Sequence, residues 1–176
     1  TTTLNGWYGN GIVIDDAGFL LNNEMDDFSI KPGHPNAYGL VGNEANSIQP
    51  NKRMLSSMTP TIVEDVNRDF FLSLGSPGGS TIITTIAQII NNIIDYDMDL
   101  DMAVESKRFH HQCLPDKIQL ELFSLPNDVI DKLTYMGHDY KYRSKIGIGE
   151  ANCIMKKNNF YYGSADSRRN ATSLAY

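Results

Sequence analysis

The chain has 176 residues, a length that predicts one domain. Apolar residues make up 41%, enough for a core, and the net charge of −6 argues against a nucleic-acid backbone as partner. No apolar run reaches the ~18 residues that a membrane-spanning helix needs.

Residues 1–4 and 11–14 read as short strands, β-branched and broken by glycine, and "DDAG" at 15–18 reads as a hairpin turn. Residues 26–57 carry little periodicity, and "IKPGHPNAYG" is loop by composition. So long an irregular stretch inside a compact domain is uncommon and usually functional or mobile. Residues 59–64 and 70–74 predict two strands around a polar turn. Residues 75–79 predict another turn, followed by a helix from Ser80 whose Ile82, Ile83, Ile86, Ile89, Ile90 and Ile93 form a broad apolar face. With so many β-branched residues, packing rather than propensity must hold that helix. A second helix is expected over 99–106 and a strand over 118–122. A third helix follows, with Ser124 as N-cap, Pro126 in the first turn and Gly137 closing it. Residues 151–156 and 160–163 predict a last pair of strands joined around Asn158. This order predicts an α+β class, a sheet layered with helices, without the strict alternation of a doubly wound fold.

Several stretches carry chemistry. "NNEMDDF" sets Glu24, Asp26 and Asp27 beside an apolar run. Crowded carboxylates raise one another's pKa unless a cation joins them. An ammonium group, an arginine or a metal would serve, and so would plain hydration of an acidic surface turn. "GSPGGS" places Gly78 and Gly79 before a helix, where bare backbone N–H groups stabilise a phosphate or an oxyanion. A merely tight strand-to-helix turn is the other reading. "RMLSSMTP" offers the hydroxyls of Ser56 and Ser57, suited to binding a carboxylate or to capping their own loop. "KRFHHQCLPD" holds His110, His111 and Cys113 without the further ligands of a familiar metal site, which favours structural histidines. Cys113 and Cys153 form no recognisable pattern; buried free thiols are the plainer reading, and a single disulfide between them is the other. "TTTLN" opens with threonines, which suit a strand and also the chemistry of a terminal nucleophile.

Taken together, "TLNGWYGNG", "GFLLNNEMDDFSIKPG", "PNAYGLVG", "NKRMLSSMTPTIV", "LGSPGGS", "RFHHQCLPD" and "YYGSADSR" resemble the small subunit of γ-glutamyltransferases, also called γ-glutamyltranspeptidases. The resemblance covers essentially the whole chain. It implies the N-terminal-nucleophile hydrolase fold, an αββα sandwich of which this chain supplies part. It implies transfer of a γ-glutamyl group from glutathione and similar compounds to water, an amino acid or a peptide, through a γ-glutamyl-threonine intermediate and without a cofactor or metal. The partner would be the large subunit of the same precursor, and the location periplasmic or secreted, in a bacterium.

The resemblance also assigns roles. Thr3 takes the place of the inner threonine that hydrogen-bonds the nucleophile. Asn5, Glu24 and Asp27 match positions holding the ends of the glutamyl group, and Ser56 and Ser57 match the pair that binds its α-carboxylate. Gly78 and Gly79 match the oxyanion-hole glycines, and Tyr38 lies in a loop that lids the site in many bacterial members. The family's opening strand is not in this sequence, so Thr1 is not expected to be the nucleophile and the chain alone is expected to be inactive. Thr81, Met54 and Cys113 depart from common family residues without touching the proposed contacts. Two other readings stay open: an amidase of cephalosporin-acylase type, and an inactive binding or structural module.

Overall fold

The computed structural model describes residues 3–143, 147–169 and 171–174. These form two compact units, Thr1–Met58 and Thr59–Tyr176. Thr1, with the expectation that it is not the nucleophile, and Thr2 lie outside the described residues.

In the first unit, β1 (Val13–Ile14) pairs antiparallel with β2 (Phe19–Leu20) across the expected turn. The pairing is shorter than the strand expected over 11–14, because Gly11 is left-handed at φ 79° and turns the chain away. The other expected strand does not form where it is described: Thr3 and Leu4 are irregular. Residues 26–57 are irregular but ordered by hydrogen bonds. A 3₁₀ turn spans Glu24–Asp27 and another Glu44–Asn46, and isolated bridges join Ser29 to Ser47 and Pro35 to Val41.

The second unit is built on a four-stranded antiparallel sheet of β3 (Thr61–Glu64), β4 (Phe70–Gly75), β8 (Asn152–Lys157) and β9 (Phe160–Ala165), in that order. Asn158 and Asn159, both with positive φ, make the tight turn between the last two strands. Alternation sets the faces. Leu72 and Leu74 pair with Met155 and Cys153 and point into the core, while Ile62 and Ile154, in register with Ser73, stay exposed on the other face.

Helices α1 (Ile82–Ile94) and α2 (Leu100–Glu105) cover the core face. Ile82, Ile86, Ile89 and Ile93 are buried at helical spacing, with Thr85 in the same stripe. Each buried isoleucine contributes about 1.5–3 kcal/mol, which outweighs the poor helix propensity of the segment. Ile83 departs from expectation: it points outward and is 66% exposed.

A second, three-stranded sheet was not expected. β5 (Phe109–His110) pairs antiparallel and β7 (Tyr140–Tyr142) parallel with β6 (Ile118–Leu120), and α3 (Asn127–Tyr135) forms the crossover between β6 and β7. Of its strands only β6 was expected, within 118–122; β5 and β7, of two and three residues, give too little periodicity to read. Ser124 does not cap α3; Pro126 occupies the N-cap with an extended backbone, and its carbonyl accepts from Val129 and Ile130. At the other end Gly137, at φ 94°, donates to Thr134 and His138 donates to Leu133, a Schellman closure.

Two arginines and two carboxylates tie the ends of this unit together. Arg108 Nη1 meets Asp166 Oδ2 at 2.8 Å, and the two side chains are 1% and 0% exposed. Arg168 grips Glu121 with Nε and Nη2, both at 2.8 Å, and reaches Asp166 Oδ1 with Nη1 at 3.0 Å. Burial alone would raise both acids. The backbone N–H of Ala151 together with both arginines holds Asp166 below its ordinary value, and Arg168 with the N–H groups of Ile148 and Arg108 does the same for Glu121.

Depressed acids contribute stability that is complete above their unfolded values and lost as pH falls through the folded ones. Resistance to urea is therefore expected to hold above pH 4.5, the ordinary value for Glu121, and to fall steeply below 3.8, that of Asp166. Asp166→Ala is expected to remove about 3–5 kcal/mol at pH 7, because it leaves a buried guanidinium unpaired. An unchanged urea midpoint would contradict this.

Candidate functional site

In the first unit the acidic stretch is wound into the 3₁₀ turn Glu24–Asp27, closed by the buried Phe28. One turn of helix brings residues three apart onto one side. Glu24 and Asp27 therefore face each other, and Asp26 is exposed elsewhere. Ser57 Oγ donates to Asp27 Oδ2 at 2.7 Å, and Thr3 Oγ1 donates to Glu24 Oε1 at 3.4 Å. Thr3 Oγ1 also accepts from the Asn5 N–H at 3.2 Å. A continuous run of Ser57, Asp27, Glu24, Thr3 and Asn5 results, drawn from three separate pieces of sequence.

Two asparagines that the sequence reading passed over assemble it. Asn23 accepts from Gly6 N–H through Oδ1 at 2.7 Å, and its carbonyl takes the Asn5 amide at 3.3 Å, which holds Asn5 in the left-handed region at φ 65°. Asn46 donates to the Asp27 carbonyl at 2.8 Å and accepts from Leu55 N–H at 3.0 Å, drawing the Ser56–Ser57 segment to the acidic turn. The only sequence signal for either was an asparagine next to a turn. Ser56 is not brought into the run, for its hydroxyl donates to the Met58 carbonyl at 3.1 Å. Tyr38 sits on a turn organised by Asn36, whose Oδ1 accepts from the N–H groups of Tyr38 and Leu40.

Burial, then the hydrogen bond and negative charge of Asp27, push the Glu24 carboxyl up to about 7, against the opposing pull of the Thr3 and Ser57 hydroxyls. Near neutral pH the pair thus hovers between one proton and none. A cation placed between the two would settle it as two carboxylates.

In the second unit Gly78 and Gly79 sit between β4 and α1. Gly78 has φ 144° and Gly79 φ 57°. A Cβ on Gly78 would run into Thr81 Oγ1, so this turn requires glycine there. Thr81 closes it from behind, donating to the Gly78 carbonyl with N–H at 3.1 Å and Oγ1 at 2.9 Å. The N–H groups of Gly79 and Ser80 lead the 3₁₀ turn Gly79–Thr81, where the first backbone donors of a helix lack intrahelical partners, and such a place suits a developing negative charge.

The histidines are structural. His110 is buried between Thr84 and Gln112, each at 2.8 Å, and burial lowers its pKa. His111 meets Asp116 at 2.9 Å. Cys153 is a buried free thiol, raised to about 12 by burial, but Cys113 is exposed, because its loop turns out at φ 69°. Among the described residues no three His, Cys, Asp or Glu side chains are grouped to hold a metal ion, and no helix is long and apolar enough to cross a membrane.

Comparison with known proteins bears on these features. The family model for gamma-glutamyltranspeptidase matches residues 1–176. The glutathione hydrolase proenzyme of Escherichia coli K12 is 47% identical over 96% of this chain, and that of Pseudomonas aeruginosa 52% over 78%. The chain spans 28% and 25% of their lengths. A solved mutant gamma-glutamyltranspeptidase of Helicobacter pylori superposes with a TM-score of 0.87 at 54% identity, over 96% of this chain and 91% of that one. A cephalosporin acylase of Bacillus halodurans, 21% identical over 96% of this chain and 30% of its own, shares the fold at a TM-score of 0.77.

The acidic pair makes a measurable prediction. An ammonium-bearing ligand bound at Glu24 and Asp27 is expected to release a proton near pH 7, since it favours the ionised pair. Calorimetry in buffers of differing ionisation enthalpy reads this directly, and Glu24→Gln abolishes it. With no ligand the sign reverses for stability: Glu24, raised above its ordinary 4.5, stabilises the folded unit at low pH and ceases to as pH rises through about 7.

Proposed function

Because the chain belongs to the gamma-glutamyltranspeptidase family, we propose that it is the small-subunit portion of an enzyme that transfers γ-glutamyl groups to water, amino acids or peptides. The observation that carries this reading is the run from Ser57 through Asp27 and Glu24 to Thr3. Two facing carboxylates, flanked by hydroxyl groups, fit the ammonium and carboxylate ends of an amino acid. A different acyl group would have no use for them.

In this proposal Glu24 and Asp27 hold the α-ammonium and Asn5 orients it. Ser57 and Ser56 hold the α-carboxylate, Ser56 after its hydroxyl rotates away from Met58. Thr3 hydrogen-bonds the nucleophilic threonine of the assembled enzyme, whose hydroxyl attacks the γ-carbonyl. The N–H groups at Gly78 and Gly79 take the resulting oxyanion. Tyr38 belongs to the loop that covers the bound group. The remainder of the enzyme, its large subunit included, comes from the same precursor, and its place is the periplasm or the exterior of a bacterium.

Asp27→Ala in the assembled enzyme is expected to lower kcat/KM for a γ-glutamyl anilide by at least about a hundredfold, because a buried ammonium is left without its partner. A near-normal kcat/KM would sink the proposal.

A further inference from the structure

Residues 147–151 are irregular, yet backbone groups of the fully buried Ile148 and Ala151 are each held by a buried charged side chain. Glu121 Oε1 accepts from Ile148 N–H at 2.7 Å, and Arg108 Nη1 donates to the Ile148 carbonyl at 2.8 Å. Asp166 Oδ2 accepts from Ala151 N–H at 3.0 Å. The four-residue network that ties the unit together is therefore also a clamp on this one segment.

The middle of the segment is pressed against the base of the glycine turn. Glu150 N–H donates to Ser76 Oγ at 2.9 Å, and Ser76 Oγ in turn donates to the Pro77 carbonyl at 2.6 Å. Gly149 has φ 71°, and a Cβ there would lie 2.5 Å from Thr85 Oγ1 and 2.8 Å from Ser76 Oγ. Its own Cα would be 3.5 Å from a Cβ placed on Gly78. The two glycines thus lie within ordinary packing distance, and it is Thr85 and Ser76 that leave no room for a side chain at position 149. The contact is also polar and dry: Ser76 is 4% exposed, Thr85 is fully buried, and Thr85 Oγ1 has no hydrogen-bond partner.

We propose that residues 147–151 are a strut that fixes the orientation of the Gly78–Gly79 turn, with Ser76 and Gly149 as positioning residues and Glu121 and Asp166 as its anchors. A tight pair of glycines is otherwise a hinge, since glycine resists left-handed and right-handed φ about equally little. Donors that stabilise an oxyanion act only when held in advance at the right place. The strut supplies that rigidity from residues far from the turn in sequence. This inference rests on the oxyanion reading of Gly78 and Gly79.

The test uses the assembled two-subunit enzyme with three variants. Ser76→Ala removes the acceptor of Glu150 N–H and adds no atom; Gly149→Ala crowds Thr85 and Ser76; Gly78→Ala strikes the turn itself. The readouts are kcat and KM for a γ-glutamyl anilide, and inhibition by glutamate and by a boronic-acid analogue of glutamate. The boron of that analogue takes up the nucleophile's oxygen and becomes a tetrahedral anion, so its affinity reports the oxyanion donors. For Ser76→Ala and Gly149→Ala, kcat is expected to fall about tenfold and the boronate to bind about tenfold more weakly, with KM and glutamate affinity within about twofold of normal. A merely structural role would move both inhibitors alike. If Gly149→Ala fails to assemble, Ser76→Ala decides alone. Loss of boronate affinity in Gly78→Ala but not in the other two overturns the strut. Normal boronate affinity in Gly78→Ala overturns the oxyanion reading, and the strut with it.

Discussion

The second unit depends on the pairing of Arg108 and Arg168 with Asp166 and Glu121. Four ionised side chains in an interior are costly to desolvate, and the cost is offset only when every lone pair and proton finds a partner. Here they nearly all do. Asp166 and Glu121 each accept from both an arginine and backbone N–H groups, and the spare arginine protons go to the carbonyls of Val104, Ser106 and Ile148. The network joins the end of α2, the edge of β6, the end of β9 and the segment 147–151. An apolar cluster could bury the same volume, but it could not dictate where particular backbone groups sit.

The acidic turn of the first unit follows the opposite logic. The interior network is balanced, whereas Glu24 is raised to about 7 by burial and then by the hydrogen bond and charge of Asp27. A protein gains nothing structurally from holding two carboxylates together. The turn is closed by Phe28 and wired through Asn23 and Asn46, so the fold maintains the repulsion rather than relaxing it.

The sheet shows how this chain sits within the larger fold. Its core face is sealed by α1 and α2, while Ile62 and Ile154 remain 71% and 51% exposed on the other. One β-layer with one α-layer is part of an αββα sandwich, in keeping with a chain that spans about a quarter of its relatives' length.

Much of this was written in the sequence. The isoleucines of α1 and the alternation of Leu72 and Leu74 declare their buried faces, because burial imposes a period on any chain that packs. The paired glycines at 78 and 79 announce a tight turn, and the acidic cluster announces crowded carboxylates. Family likeness assigned their roles. Other features rest on contacts whose partners lie far apart along the chain. Ile83 shares the composition of its neighbours yet points outward, since the helix phase against the sheet is fixed only by packing. Ser56 and Ser57 are indistinguishable by type, and only the pull of Asn46 on Leu55 decides that Ser57, not Ser56, reaches Asp27. Arg108, Glu121, Asp166 and Arg168 read as ordinary charged residues. Their partnership, and the grip it gives on Gly149, exists only once three dimensions bring them together, because hydrogen bonding carries no periodicity that a sequence could display.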